Sequence, residues 1–129
     1  MPVIAERINK PTEQDLIDLS KTYEGNIEWL QPILESDDLV IGGRFNDRLV
    51  AAFVLCRQGD LWRLDKLQVR EITRRRGVAR QTLHSALNTL SIDGPVCVDL
   101  SAHPELSSLF ESLGFSAQPN AKGLMQWQA

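Results

Sequence analysis

The spacing of apolar residues divides this chain into strand-like and helix-like stretches. Residues 3–8 alternate enough for a short strand. Thr12 then opens a helix with a capping-box-like arrangement, Asp15 standing three residues on, and Leu16, Ile17 and Leu19 are expected to form its apolar side. Asn26 is placed to cap a second short helix holding Ile27, Trp29, Leu30, Ile33 and Leu34, although Pro32 falls inside it. Residues 39–45 and 49–56 read as two strands joined at Asn46-Asp47, residue types that tolerate the left-handed backbone of tight hairpins. Residues 61–69 make a third strand of the same meander, entered through Gly59-Asp60. A helix follows from about residue 78 to residue 90, with Leu83, Ala86, Leu87 and Leu90 on one face. Gly94-Pro95 interrupts the pattern before a buried-looking strand at 96–100. Pro104 suits the first turn of a helix running to Leu113, and Gly114 takes the usual glycine position after its end. Phe115 and then residues 124–127 suggest a closing pair of strands. The resulting order, β-α-α-β-β-β-α-β-α-β-β, predicts an α/β fold with helices on the faces of a mixed sheet.

Bulk composition narrows the function classes. A chain of 129 residues that is 43% hydrophobic can build one core, so residues 1–129 are expected to form a single domain. No apolar stretch approaches the ~20 residues of a membrane span, and the N-terminal Met-Pro-Val-Ile-Ala-Glu-Arg lacks the layout of a secretion signal. Cys56 and Cys97 lie in strand-like apolar runs without metal-like spacing. They read as buried free thiols of a cytoplasmic protein, with no metal site.

Charge is unevenly distributed, and that changes the picture most. Residues 70–80 carry five arginines and Glu71, a net charge of +4, so the rest of a chain with net charge -3 carries -7. This segment lies between a strand and a helix start, where helix stability alone would favour acids. The first backbone N–H groups of a helix have no internal partner, and Gly77 would let the backbone approach a bulky anion. Three readings compete: a solvated basic patch, a nucleic-acid surface, and a phosphorylated cofactor. The overall acidity and the local character of the cluster speak against nucleic acid. Position after a strand and at a helix start favours the cofactor. A dinucleotide fingerprint would need three glycines and a P-loop would need Gly-Lys-Ser/Thr, and neither is present.

Arg74-x-x-Gly77-x-Ala79, in its strand-turn-helix setting, resembles the Arg/Gln-x-x-Gly-x-Gly/Ala motif of GNAT-type N-acetyltransferases. Residues 110–115, Phe-Glu-Ser-Leu-Gly-Phe, resemble the end of that family's later helix and the strand after it. The resemblance implies a GNAT-type fold, a mixed and largely antiparallel central sheet of six to seven strands with helices on both faces. It also implies an acetyl-CoA (or CoA) site. Leu67, Gln68 and Val69 would run beside the pantetheine arm, and Thr73, Arg74, Arg75, Arg76, Gly77, Val78 and Ala79 would surround the pyrophosphate. Arg80 would add charge there, as would Arg70. One branch is matched more closely. Arg44-Phe45-Asn46-Asp47-Arg48-Leu49, together with residues 67–78, resembles the PanM/PanZ group. Those are acetyl-CoA-sensing relatives that bind aspartate 1-decarboxylase (PanD), which this resemblance makes the expected partner. Agreement is poor after Gly94, and the final Met-Gln-Trp-Gln-Ala does not resemble that branch's tail.

Two function classes follow, a catalyst and a sensor. A catalyst needs a base for the amine and an acid for the departing thiolate. Many GNAT enzymes place a tyrosine acid where this chain has Phe110, which has no proton to give. Asp65 is a candidate base because strand alternation puts it on one face with Leu67 and Val69, and a structural carboxylate pairing with Arg63 or Lys66 or capping the sheet edge is the competing reading. His103 stands where the family often has an asparagine that touches pantetheine, which makes it a second candidate for base or cofactor contact, and a surface histidine before Pro104 is the competing reading. A sensor needs only that cofactor binding orders a surface a partner recognises. Arg44, Phe45 and Asn46 at the hairpin tip are the expected partner contacts, against the plainer reading of ordinary hairpin chemistry.

Overall fold

In the computed structural model, which describes residues 2–70 and 77–128, the hairpin sets the frame. Asn46 (φ 48°) and Asp47 (φ 67°) both take left-handed backbone and place Phe45 opposite Arg48. The strands they join are β2 (Leu39–Phe45) and β3 (Arg48–Gln58), the latter buried from Leu49 to Leu55. Before them come β1 (Ile4–Arg7), α1 (Glu13–Thr22) and α2 (Leu30–Leu34). After them come β4 (Leu61–Val69), α3 (Val78–Thr89), β5 (Val96–Asp99), a 3-10 turn (Pro104–Leu106), α4 (Ser107–Ser112), β6 (Ser116–Ala117) and β7 (Leu124–Trp127). The described residues form a seven-stranded sheet in the order β1-β2-β3-β4-β5-β7-β6. Every neighbouring pair in it is antiparallel except β4 with β5. This is the mixed, largely antiparallel α/β sheet that the sequence resemblance implies.

Helices cover both faces. Ile41, Phe53 and Leu55 pack with Leu83 and Ala86 of α3 and Phe110 of α4. Val40, Leu49 and Ala52 pack with Leu19 of α1 and Leu30 of α2 on the other side. Adjacent residues Val40 and Ile41 pointing to different clusters is the pleat of β2 expressed in packing. Between Gly43 and Arg44 the register of β3 slips by one residue, which lets neighbouring Val50 and Ala51 join the same small cluster with Val3 and Val78.

The first helix corrects one expectation. Its capping box is present, Thr12 Oγ1 accepting from Asp15 N–H and Asp15 Oδ2 from Thr12 N–H. Its buried face, however, is Asp15, Asp18, Leu19 and Thr22, while Leu16 and Ile17 are exposed. Two arginines from the hairpin cause this. Arg48 grips Asp18 through Nε (3.0 Å) and its terminal nitrogen (2.6 Å), and Arg44 reaches Asp15 at 3.1 Å. Asp18 also accepts from Leu49 N–H at 3.1 Å and from Gln14 at 3.1 Å. Burial alone would raise the Asp18 pKa, but the bonds from Arg48, Leu49 and Gln14 outweigh it and hold the carboxyl below its ordinary range.

Candidate functional site

The parallel pair β4–β5 opens the molecule. It is joined only at Trp62–Val96 and Arg63–Cys97, and beyond Arg63 no described residue of β5 pairs with β4. The cause lies within β4. Ala52 pairs with Gln68, but Val54 pairs with Asp65, so Lys66 and Leu67 both stand against Phe53. This is a bulge, and its first residue is Lys66 at φ 56°, where glycine would be the unstrained choice. Left-handed backbone at a residue with a Cβ costs on the order of 1–2 kcal/mol, so neighbouring groups must hold it. Lys66 N–H donates to Asp65 Oδ1 (2.9 Å), and Lys66 C=O accepts from the Tyr23 hydroxyl (2.8 Å). The Lys66 ammonium sits 4.5 Å from the centre of the Trp29 ring, which meets Tyr23 edge-on at 4.9 Å. Burial first, and then the Asp65 charge, push the Tyr23 phenol well above its usual pKa.

The parted strands enclose a cleft of about 260 Å³. Leu64, Lys66 and Leu67 line one side, Val98 and Leu100 the other, and Phe110 is among the residues that complete it. Phe110 is fully buried and stacks edge-on with Phe115 at 5.0 Å. At the end of β4, Val69 packs on the cluster that contains Val78, the first residue of α3. Gly77 caps that helix at φ 69°, and a Cβ there would meet no atom of the described residues within 4 Å. The Val78 side chain is spent on the core (2% exposed), so only its amide can serve a ligand. The amides of Val78, Ala79 and Arg80 belong to the first turn and have no intrahelical acceptor. The end of β4 and the N-terminus of α3 thus meet, which suits an elongated ligand carrying a diphosphate.

The structure redistributes the residues singled out from sequence. Leu67 lines the cleft, and Gln68 and Val69 follow it half-buried. Gly77, Val78, Ala79 and Arg80 build the helix start, with Arg80 exposed. Thr73, Arg74, Arg75 and Arg76 lie outside the described residues. Asp65 also lines the cleft, although the bulge puts Leu64, and not Asp65, on the cluster against which Leu67 packs. Its Oδ1 is committed to Lys66 N–H. His103 lines the cleft but is largely exposed, with Nδ1 3.2 Å from Glu105. Asp99, also at the cleft, has its pKa lowered by bonds from the Ser101 hydroxyl and amide.

At the hairpin, Arg44 is not a free contact. Four of the five N–H donors a guanidinium carries are used within the chain, two on Glu6 and one each on Asp15 and the Asp47 carbonyl. Those bonds, from Glu6 first, raise its pKa above the usual arginine range. Phe45 packs on the Val3–Val50 cluster, and Asn46 is exposed at the tip. Sequence reasoning missed the Tyr23–Trp29–Lys66 arrangement. The alternation through residues 61–69 carries no mark of a bulge, and lysine has no left-handed tendency that would betray one.

Comparison with known proteins gives concordant results. A family model described as the acetyltransferase (GNAT) domain of PanZ matches residues 2–122. The chain is 35% identical over 117 residues to the PanD regulatory factor of Escherichia coli K12, covering 87% of this chain and 90% of that one. It is 32% identical over 117 residues to the PanD regulatory factor of Salmonella typhimurium, with the same coverage. Its fold is similar to the solution structure of the E. coli N-acetyltransferase-like protein YhhK bound to coenzyme A. That match has a TM-score of 0.71 and 30% identity, and covers 100% of both chains.

Proposed function

Because the chain belongs to the PanZ family of GNAT acetyltransferase domains, we propose that it is an acetyl-CoA-binding regulator of PanD, the aspartate 1-decarboxylase of pantothenate and coenzyme A biosynthesis. The observation that carries this reading is the meeting of two features: β4, parted from β5 beyond Arg63, and the Gly77-capped start of α3. Gly77, whose added Cβ would meet none of the described residues, and the first-turn amides fit a diphosphate. The cleft lined by Leu64, Leu67 and Phe110 fits an apolar arm. When bound, the cofactor supplies a thioester whose presence reports acetyl-CoA abundance. The chain's own contribution is to bind and orient it. Arg74, Arg75 and Arg76 are proposed to complete the charge around the phosphates.

A regulatory role is supported over an acyl transfer by the side chains in the cleft. Phe110 offers no proton, and Asp65 and His103 each engage a neighbouring residue. Regulation requires only linkage: a partner that prefers the loaded form binds more tightly as occupancy rises. Asn46 is the proposed partner contact, while Arg44 and Phe45 hold the hairpin that presents it. No helix among the described residues is long and apolar enough to cross a membrane, and a cytoplasmic location is part of the proposal.

The test is capture of this protein on immobilised PanD with and without acetyl-CoA. Capture should rise with the cofactor, and acetyl-CoA-independent capture, or none, would sink the reading. Asn46→Gly removes the side chain and suits φ 48°. It should weaken capture about tenfold while leaving acetyl-CoA affinity within about twofold.

A further inference from the structure

Among the described residues, only Lys66 combines a positive φ with a place inside a strand, and it does so three residues beyond Arg63, the last residue of β4 that pairs with β5. Both of its main-chain polar groups bond to side chains: its N–H to Asp65, its carbonyl to Tyr23. Tyr23 follows the last residue of α1, 43 positions earlier in the chain, and Trp29 lies just ahead of α2. The bulge that shapes the cleft is therefore held from outside the sheet.

We propose that Tyr23 is a positioning residue for the acyl-CoA cleft: its hydroxyl, backed by Trp29, holds Lys66 left-handed and so fixes where Leu67 and Gln68 point. The argument is one of register. Without a partner for its carbonyl, Lys66 relaxes toward extended backbone, and losing one bulged residue turns each following side chain to the opposite face. Leu67 then leaves the cleft, and β4 is free to close on β5. The inference rests on the acetyl-CoA reading above, and concerns how this chain prepares the site before any ligand arrives.

Tyr23→Phe removes one oxygen and keeps the ring against Trp29. By calorimetry its Kd for acetyl-CoA should rise about five- to tenfold, the equivalent of one hydrogen bond. In the ligand-free protein, amide exchange at residues 66–68 should accelerate. A merely structural loss would not be reversed by a second change at residue 66. Here it should be: glycine adopts φ 56° without strain, so Tyr23→Phe/Lys66→Gly should return to within about twofold of the wild-type Kd. Unaltered affinity in Tyr23→Phe, or a loss that Lys66→Gly does not recover, overturns the assignment while the acetyl-CoA reading stands. Wild-type protein that gives no heat with acetyl-CoA overturns both.

Discussion

Helices α1 and α3 lie on opposite faces of one sheet and dock by different physics. On α3 the buried positions are Val78, Thr82, Leu83 and Ala86, and close approach is bought with a missing side chain on β2. A Cβ at Gly43 would stand 2.3 Å from Thr82 Oγ1. The same helix also caps the sheet edge, Gln81 and Ser85 accepting the N–H groups of Val3 and Ala5 at 3.0 and 2.8 Å. On α1 the buried positions include two carboxylates, and the apolar Leu16 and Ile17 face outward. Hydrophobic periodicity finds α3 because burial there follows apolarity. It misplaces the face of α1 because the arginines of the β2–β3 hairpin, 29 and 30 positions further along, supply the partners. A buried charge is tolerated when its bonds are complete.

Asp18→Ala should break this contrast most severely. It strips the partner from Arg48 and from the buried amide of Leu49. Removing one member of a buried pair costs 3–5 kcal/mol, and because Arg48 is 43% exposed and can turn to water, the lower end, about 3 kcal/mol, is expected. The urea midpoint measures it. The same carboxylates predict a pH dependence of definite sign. Asp15 and Asp18 are both depressed from 3.8. Burial by itself would raise them, and the arginine and backbone bonds outweigh it. Their stabilisation is therefore complete above the unfolded value of 3.8 and is lost as pH falls below it, through the folded values. In Asp18→Ala that acid-side slope should be shallower.

On the other face, Gly43→Ala is expected to cost about 2 kcal/mol through overpacking. Thr82 cannot simply swing aside, since its hydroxyl is bonded to the Val78 carbonyl at 2.8 Å. Thr82→Ala removes both of its atoms that the new methyl would meet and leaves Val3 Cγ1 at 3.0 Å, so the double variant should recover part of the loss. Docking through Gly43, Thr82, Leu83 and Ala86 involves no titratable group, and this cost should be the same at pH 7 and pH 4. A cost that changes with pH would erase the proposed difference between the two faces.

The legibility of the fold follows the same division. Turns and caps are local chemistry, so Asn46-Asp47, Gly59, the Thr12 capping box and the Gly77 start of α3 could be read directly. The strands of the meander could be read because β3 is buried on both faces and β4 alternates up to Leu64. Part of the candidate site was equally visible, since a glycine between a strand and a helix is a local signal. The parting of β4 from β5 was not. It depends on a lysine held left-handed by a tyrosine 43 residues away, an arrangement no window of sequence contains. The bonds of Arg44 to Glu6 and Asp15 were hidden for a related reason: both partners lie far from the hairpin in sequence.

The smallest expected effect sharpens the comparison from the other side. Ile17 is 49% exposed on α1, although its residue type and spacing mark it for a core. If the buried face is set by Asp15 and Asp18, then Ile17→Gln exchanges one solvated side chain for another with comparable or better helix propensity. The urea midpoint should move by no more than the equivalent of about 0.5 kcal/mol, as for surface substitutions generally. Had Ile17 been part of the packed face, the same change would bury an amide without partners and cost about 1–3 kcal/mol. A loss of that size would mean that α1 turns its apolar side inward after all, and that the two arginine–carboxylate pairs do not set its rotation.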